Sequence, residues 1–192
     1  MIIGITGGTG CGKTTLLDII RDFGGKVLDC DAIYHQLLQT DKHMLFAIED
    51  RFPGVVEDGC LNRKKLGAIV FSDPEALLDL NAITHSAVKA EVLRQLTEHH
   101  PLVAIDAIGL FEGGLAELCD VTVAVTAPEE LRIQRLMQRD GITEDYARSR
   151  IAAQHGEDWF QQRCYCILEN NGTEMQFREK CIAFLENPCI ME

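Results

Sequence analysis

A glycine-rich stretch near the start of the chain has the residue types and spacing of a phosphate-binding loop. Residues 7–14 read G-G-T-G-C-G-K-T, which fits the pattern G-x-x-x-x-G-K-[ST]. Glycines let successive backbone amides point at phosphate oxygens, and the amino terminus of a following helix adds a favourable dipole. Lys13 is then expected to reach the β- and γ-phosphates of a nucleoside triphosphate, and the Thr14 hydroxyl to hold Mg²⁺. The expected nucleotide contacts in this segment are Gly8, Thr9, Gly10, Cys11, Gly12, Lys13, Thr14 and Thr15.

Two carboxylates follow the second predicted strand, in the sequence Asp29-Cys30-Asp31. In a parallel sheet the carboxyl ends of neighbouring strands face the same crevice as the phosphate-binding loop. A carboxylate there can accept the proton of an acceptor hydroxyl during phosphoryl transfer. Asp29 and Asp31 point to opposite faces if the strand continues, so we expect one of them to face the γ-phosphate. The alternative is that both cap the helix that follows.

Arginines are concentrated in one later segment, residues 132–154, although the chain as a whole is acidic. Between residues 132 and 150 there are five arginines against three acidic residues. Guanidinium groups can clamp transferring phosphoryl oxygens, and closure of such a segment expels water from the site. We therefore expect a closing lid; the alternative is a solvated helix face with ordinary ion pairs. The arginines are Arg132, Arg135, Arg139, Arg148 and Arg150.

Short apolar runs rich in β-branched residues alternate with longer amphipathic stretches, which predicts βα units around a parallel sheet. The predicted strands are 2–6, 26–29, 102–106, 121–126 and 166–169. The predicted helices are 13–23, 128–139, 143–154 and 173–186, and the last begins with a capping box at Thr173 and Gln176. The predicted fold class is therefore α/β, with a five-stranded parallel sheet.

The stretch 32–100 contains no convincing strand but several apolar periodicities, so we predict an all-helical insertion between the second and third strands. The sequence shows no internal repeat and no long Gly, Ser or Pro linker. We expect a single unit over residues 1–192. Its core would comprise 1–31, 101–131 and 155–192, with the insertion at 32–100 and the lid at 132–154.

The overall composition is that of an ordinary globular protein. Of its 192 residues, 46% are hydrophobic and 25% charged, which excludes the disordered and collagen-like classes. Lys plus Arg total 18 against 30 Asp plus Glu, a net charge of -12, which argues against nucleic acid or a membrane as the main partner. Eight cysteines without a C-x-x-C pair indicate reduced thiols and a cytoplasmic location. We expect no secretion signal or membrane anchor, a small-molecule substrate, and an oligomeric state that stays open with a monomer favoured.

A nucleoside triphosphate site leaves open a kinase, a GTPase switch or an ATPase motor. Residues 106–109 match the D-x-x-G of a GTPase, but no N-K-x-D guanine-binding motif occurs in the chain. Motor ATPases usually need more chain and a strand that ends in paired acidic residues, whereas only Asp106 ends the third strand. The residues therefore favour a small kinase, with a nucleotide-binding regulatory switch as the alternative.

Taken together, the motifs resemble those of the dephospho-CoA kinase family, from the first residue to about Gly172. The family's T-G-G-x-G-x-G-K-[ST] is present at residues 6–14, and its D-A-D is similar to D-C-D at 29–31. Its L-x-x-I-x-H-P resembles residues 80–86, and L-F-E occurs at 110–112. The spaced arginines, a later R-I-x-x-Q at 150–154 and an N-x-G at 170–172 complete the likeness.

The resemblance implies a P-loop kinase fold in three layers, with a helical acceptor-binding insertion and an arginine-rich lid. It implies transfer of the γ-phosphoryl group of ATP, with Mg²⁺, to the 3′-hydroxyl of dephospho-CoA. Asp31 would be the acceptor-side carboxylate, Lys13 and Thr14 the phosphate and Mg²⁺ contacts, and Arg139 a lid clamp. Further implied contacts are His85, Leu110 and Arg135 for the substrate and Asn171 for the nucleotide. Another small nucleoside or metabolite kinase of the same fold is the alternative.

Two positions depart from the family's pattern, and one cysteine is unusual. Ser86 replaces proline, and Ile108-Gly109 replace Pro-Leu, which puts in doubt the fine shape of the acceptor pocket. His85 either contacts substrate or fills a helix junction. Cys11 lies beside Lys13 at a helix amino terminus, which predicts a lowered thiol pKa and sensitivity to oxidation; the alternative is a small residue that is merely tolerated there.

Overall fold

The computed structural model describes residues 1–187 and contains a sheet of five strands. The strands are β1 (Ile2–Thr6), β2 (Lys26–Asp29), β5 (Val103–Asp106), β6 (Val121–Thr126) and β7 (Cys166–Glu169); β3 and β4 form a separate hairpin described below. Their order in the sheet is β2-β5-β1-β6-β7, and the pairs of β1 with β5, β1 with β6, and β6 with β7 are all parallel. This confirms the predicted α/β class.

The described chain divides into two compact units. The first comprises Met1–Val27, His100–Leu110 and the chain from Ala116 onward; the second comprises Leu28–His99 and Phe111–Leu115. The first unit contains α1 (Lys13–Asp22), α6 (Glu129–Asp140), α7 (Glu144–Ala152), α8 (Glu157–Gln161), α9 (Glu174–Glu186) and the 3₁₀ turn Ala116–Leu118. The helices predicted at 13–23, 128–139, 143–154 and 173–186 are thus present, with ends that differ by one or two residues.

The core of the first unit lies between the sheet and the helices α1 and α9. Ile3 and Ile5 of β1 and Val123 of β6 have no exposed surface, as expected for central parallel strands that are covered on both faces. Apolar side chains from one face of α1 and from α9 join the same cluster. The predicted capping box fixes the start of α9, because the Thr173 side chain accepts from the backbone amide of Gln176 and the Gln176 side chain reaches back.

The second unit contains four helices and one small hairpin. The helices are α2 (Cys30–Thr40), α3 (Lys42–Arg51), α4 (Arg63–Val70) and α5 (Pro74–Leu96), and the hairpin joins β3 (Val56–Glu57) to β4 (Cys60–Leu61). The all-helical prediction for 32–100 missed this hairpin. Its turn consists of Asp58 and Gly59, both at positive φ, and the Glu49 carboxylate accepts from the amides of Gly54 and Val56 at 2.7 Å.

Helix α5 is the longest element of the second unit. Asp73 caps it by accepting from the amides of Glu75 and Ala76, and Pro74 occupies its first turn, where no intrahelical partner is needed for the missing N–H. None of the helices in residues 1–187 is both long and apolar enough to cross a bilayer.

Candidate active site

The phosphate-binding loop lies between the end of β1 and the start of α1, as the motif requires. Gly12 caps α1 with φ at 96°, a left-handed conformation that favours glycine, and a Cβ there would lie 2.3 Å from Nδ2 of Asn170. The Lys13 ammonium group donates to the Gly7 carbonyl oxygen at 2.8 Å. Thr14 is exposed on the first turn of α1. The loop therefore presents a cation and a hydroxyl beside a helix amino terminus.

The outer side of this loop is held by side chains from later segments of the chain. Arg135 donates through Nη1 to the carbonyl oxygens of Gly10 and Cys11, at 3.1 and 3.3 Å. Asn170, which is 4% exposed, donates through Nδ2 to the same Cys11 carbonyl at 2.9 Å. Arg132 and Gln154 contact Thr9. Arg135, predicted as a substrate contact, thus contacts the backbone of the loop.

A small cavity of about 190 Å³ adjoins the start of α1. Its lining residues are Gly12, Thr15, Arg135, Asn170, Glu174 and Phe177. Among the described residues the Asn170 Oδ1 atom has no hydrogen-bond partner, although it is buried. The cavity combines a guanidinium group with amide and apolar surface next to the phosphate-binding loop.

The acceptor-side residues Asp31 and His85 lie in the second unit. The strand β2 ends at Asp29 and the helix begins at Cys30, so the strand does not continue through Asp31 and the two carboxylates do not lie on opposite strand faces. Asp29 caps α2 by accepting from the Ala32 amide at 2.9 Å. Asp31 follows in the first turn and is exposed. His85 is half-buried on α5.

The remaining arginines of the lid segment bond to carboxylates of the same segment. Asp140 accepts from Nε of Arg139 at 2.6 Å and from Nη1 of Arg150 at 2.7 Å, and these cations lower the Asp140 pKa to about 2. Arg148 pairs with Glu129, Glu130 and Glu144 at 2.8–3.0 Å, and the bonds to Glu144 and Glu130 raise its pKa. In this conformation the predicted phosphate clamp Arg139 is therefore engaged by a neighbouring carboxylate.

Two predicted contacts, Leu110 and Asn171, have partners within the protein. Leu110 has no exposed surface, and its methyl groups pack over Gly4, where a Cβ would lie 2.9 Å from one of them. The Leu110 side chain is therefore part of the core in this conformation, and its contact with substrate stays a prediction. Asn171 is exposed and bonds to Glu169 and Lys180, at 3.0 and 3.2 Å. Its neighbour Asn170 is the asparagine that contacts the loop.

The structure also corrects the expectation for Cys11. Its side chain is 2% exposed, and burial raises the thiol pKa above its ordinary value. Arg132, Lys13 and backbone amides lower that pKa in part but do not reverse the effect of burial. The predicted lowering of the pKa was wrong, and the alternative of a small residue that fits the loop is the better description.

A parallel sheet with a G-x-x-x-x-G-K-T loop between β1 and α1, followed by an arginine-bearing helix pair after β6, defines the P-loop small-kinase class. Within that class the dephospho-CoA kinase family model matches residues 1–176. The chain belongs to this family, as the motif resemblance predicted.

Similar proteins cover nearly the whole chain. A dephospho-CoA kinase from Syntrophotalea carbinolica is 38% identical over 192 residues, covering 96% of this chain and 90% of the relative. The crystal structure of TT1252 from Thermus thermophilus superposes with a TM-score of 0.84 at 34% identity, covering 98% of this chain and 97% of that one. A dephospho-CoA kinase from Campylobacter jejuni has a TM-score of 0.68 at 26% identity and covers 97% and 96%.

Proposed function

We propose that the chain transfers the γ-phosphoryl group of ATP to the ribose 3′-hydroxyl of dephospho-CoA, producing coenzyme A and ADP in the last step of coenzyme A biosynthesis. The observation that carries this proposal is the family match over residues 1–176, together with an intact phosphate-binding loop. The relatives that support it are themselves named dephospho-CoA kinases.

On the nucleotide side, the loop amides and Lys13 bind the triphosphate. Lys13 donates to the Gly7 carbonyl, and a flexible ammonium group exchanges such a contact for the more strongly charged β- and γ-phosphates. The amino terminus of α1 adds its dipole. Positive charge here acts locally, in a chain whose net charge is -12. Arg139 adds a second cation from the lid once it leaves Asp140.

The oxygen donors near the loop suit Mg²⁺, which prefers hard oxygen ligands. The Thr14 hydroxyl is exposed on the first turn of α1. The Asp106 carboxylate ends β5, and the strand register places it beside Ile5, just before the loop. Thr14 and Asp106 would hold the ion, which would neutralise phosphate charge when bound.

On the acceptor side, Asp31 accepts the proton of the 3′-hydroxyl. The bond between the γ-phosphorus and its bridging oxygen breaks while the bond to the 3′-oxygen forms, and ADP leaves with the electron pair. Asp31 is exposed in the first turn of α2, and the cap is supplied by Asp29 instead, which leaves the Asp31 carboxylate for the acceptor. His85, on α5, contacts dephospho-CoA.

Two segments have separate roles in this reaction. The helical insertion, residues 32–100, binds the acceptor, and the lid, residues 132–154, closes over the phosphates. We place the enzyme in the cytoplasm, which is supported by a cysteine pattern that suits reduced thiols.

Product analysis tests the proposal directly. The protein is incubated with Mg-ATP and dephospho-CoA, and the product is examined by mass spectrometry and phosphorus NMR. We expect coenzyme A with the new phosphate on the ribose 3′-oxygen and one ADP for each coenzyme A. A product phosphorylated elsewhere, or ADP without a phosphorylated acceptor, would contradict the proposal.

A further inference from the structure

The peptide groups of Thr9 are held from both sides by Arg132 of α6 and Gln154, which follows α7. The Arg132 Nε atom donates to the Thr9 carbonyl oxygen at 2.9 Å. The Thr9 amide donates to Oε1 of Gln154 at 2.8 Å. Arg132 also donates through Nη2 to that same Oε1 at 3.0 Å, so the two side chains and the Thr9 backbone form a closed ring of hydrogen bonds.

We propose that Arg132 and Gln154 are positioning residues that fix the Thr9 backbone and so hold the phosphate-binding loop ready for ATP. They act through the loop and do not touch the nucleotide themselves. This inference rests on the proposed use of ATP and adds two residues to the machinery of the same site.

The need for such a device follows from the composition of the loop. Gly7, Gly10 and Gly12 all have positive φ, and glycine peptides lose more conformational freedom on ordering than other residues. If the loop orders only when ATP binds, the loss of conformational entropy lowers the affinity for ATP. If the loop is already ordered in the free protein, this loss does not reduce the affinity. Thr9 lies between Gly8 and Gly10, so its two peptide groups are shared with glycines of the loop.

Gly8 adds an independent observation. A Cβ at Gly8 would lie 2.3 Å from Nη2 of Arg132 and 3.0 Å from Oε1 of Gln154. The φ of Gly8 is outside the left-handed region that favours glycine, so space and not backbone conformation requires glycine here. The Arg132 guanidinium therefore packs directly over the loop, and a methyl group at position 8 would displace it.

The first test measures the equilibrium dissociation constant for ATP in the full chain, with the acceptor absent. Gln154→Met keeps length but loses the acceptor oxygen, and Arg132→Lys keeps charge but loses the two-pronged donor geometry. We expect Gln154→Met to raise the ATP dissociation constant about tenfold, on the scale of ordering one further backbone unit. Gln162→Met and Arg163→Lys, in the same part of the chain, serve as matched controls with changes below about twofold.

The double variant separates a joint device from two independent contacts. Because the two side chains bond to each other and to the two peptide groups that flank Thr9, they act as one unit. Gln154→Met combined with Arg132→Lys should therefore weaken ATP binding no more than the worse single variant. Gly8→Ala should weaken ATP binding to the same extent as Gln154→Met. Adding Arg132→Ala to Gly8→Ala should cause no further loss of ATP affinity. Effects that multiply, or a Gln154→Met value equal to that of Gln162→Met, would overturn the proposal.

Steady-state kinetics distinguish positioning from a general structural defect. Positioning predicts a raised KM for ATP with an unchanged KM for dephospho-CoA, and a fall in Tm of no more than about 2–4 °C, the scale of a lost hydrogen bond. A parallel rise of both KM values would overturn it, and Gly8→Ala keeps the test decisive if Gln154→Met does not fold. Failure of the proposed function would show separately, as normal ATP binding by the unaltered chain without phosphorylation of dephospho-CoA.

Discussion

Replacing the buried Asn170 by alanine should loosen the phosphate-binding loop by a predictable amount. Its Nδ2 atom donates to the Cys11 carbonyl at 2.9 Å, and a hydrogen bond of this kind contributes about 1 kcal/mol net. The larger cost of an unsatisfied buried carbonyl does not arise, because Arg135 still donates to that oxygen at 3.3 Å. We therefore expect the free energy of unfolding to fall by about 1 kcal/mol, and Tm by about 2–4 °C.

The neighbouring asparagine supplies the matched control. Asn171→Ala removes an exposed side chain that bonds to Glu169 and Lys180 on the surface. The free energy of unfolding should therefore fall by no more than about 0.5 kcal/mol. Urea unfolding of both variants measures the two values. Combining Asn170→Ala with Arg135→Ala removes both donors to the Cys11 carbonyl, and the loss should exceed the sum of the single losses by about 1 kcal/mol or more. Equal effects of Asn170→Ala and Asn171→Ala, or simple additivity of the pair, would refute the reasoning.

Three further predictions concern the acceptor carboxylate and the thiols. Asp31→Asn should lower kcat by about 10² to 10⁴ with little change in ATP affinity, measured by steady-state kinetics; near-normal turnover would remove Asp31 from its role. Iodoacetamide should label Cys60, which is exposed, well before Cys11, as followed by peptide mass spectrometry; faster labelling of Cys11 would contradict its burial. Burial raises the pKa of Cys119 and of Cys181 from 9.0 to about 12, so between these pH values the thiols ionise in the unfolded chain first. The free energy of unfolding should therefore fall as pH rises from 9 to 12 in urea titrations, and a flat profile would contradict this.

Much of the fold was predictable because the parallel strands are short apolar runs with clear boundaries. Four of the five strands of the large sheet begin and end at the predicted residues, and the remaining strand begins at Val103 instead of residue 102. The hairpin of the second unit was missed, since strands of two residues carry no periodicity. Its Asp58-Gly59 turn was nevertheless a usable signal, because this dipeptide favours two-residue hairpin loops.

The partners of the lid arginines could not be predicted from spacing. Arg132 and Arg135 lie one turn apart on α6 and contact the loop backbone, whereas Arg139, one turn further, bonds to Asp140. A long arginine side chain can reach several acceptors, and tertiary packing determines which of them it binds. Asn170, in contrast, could have been found: it shares the strand's two-residue period with the buried Cys166 and Leu168, which places it on their side.

The most direct test of the account is the choice of acceptor, measured as ADP release in a coupled assay with Mg-ATP. Dephospho-CoA is compared with adenosine, uridine, CMP, shikimate and no acceptor, and the Lys13→Ala variant provides the background rate. The account predicts ADP release that depends on dephospho-CoA and is lost in Lys13→Ala. Release with another acceptor in preference to dephospho-CoA, or slow release that ignores every acceptor, would contradict it.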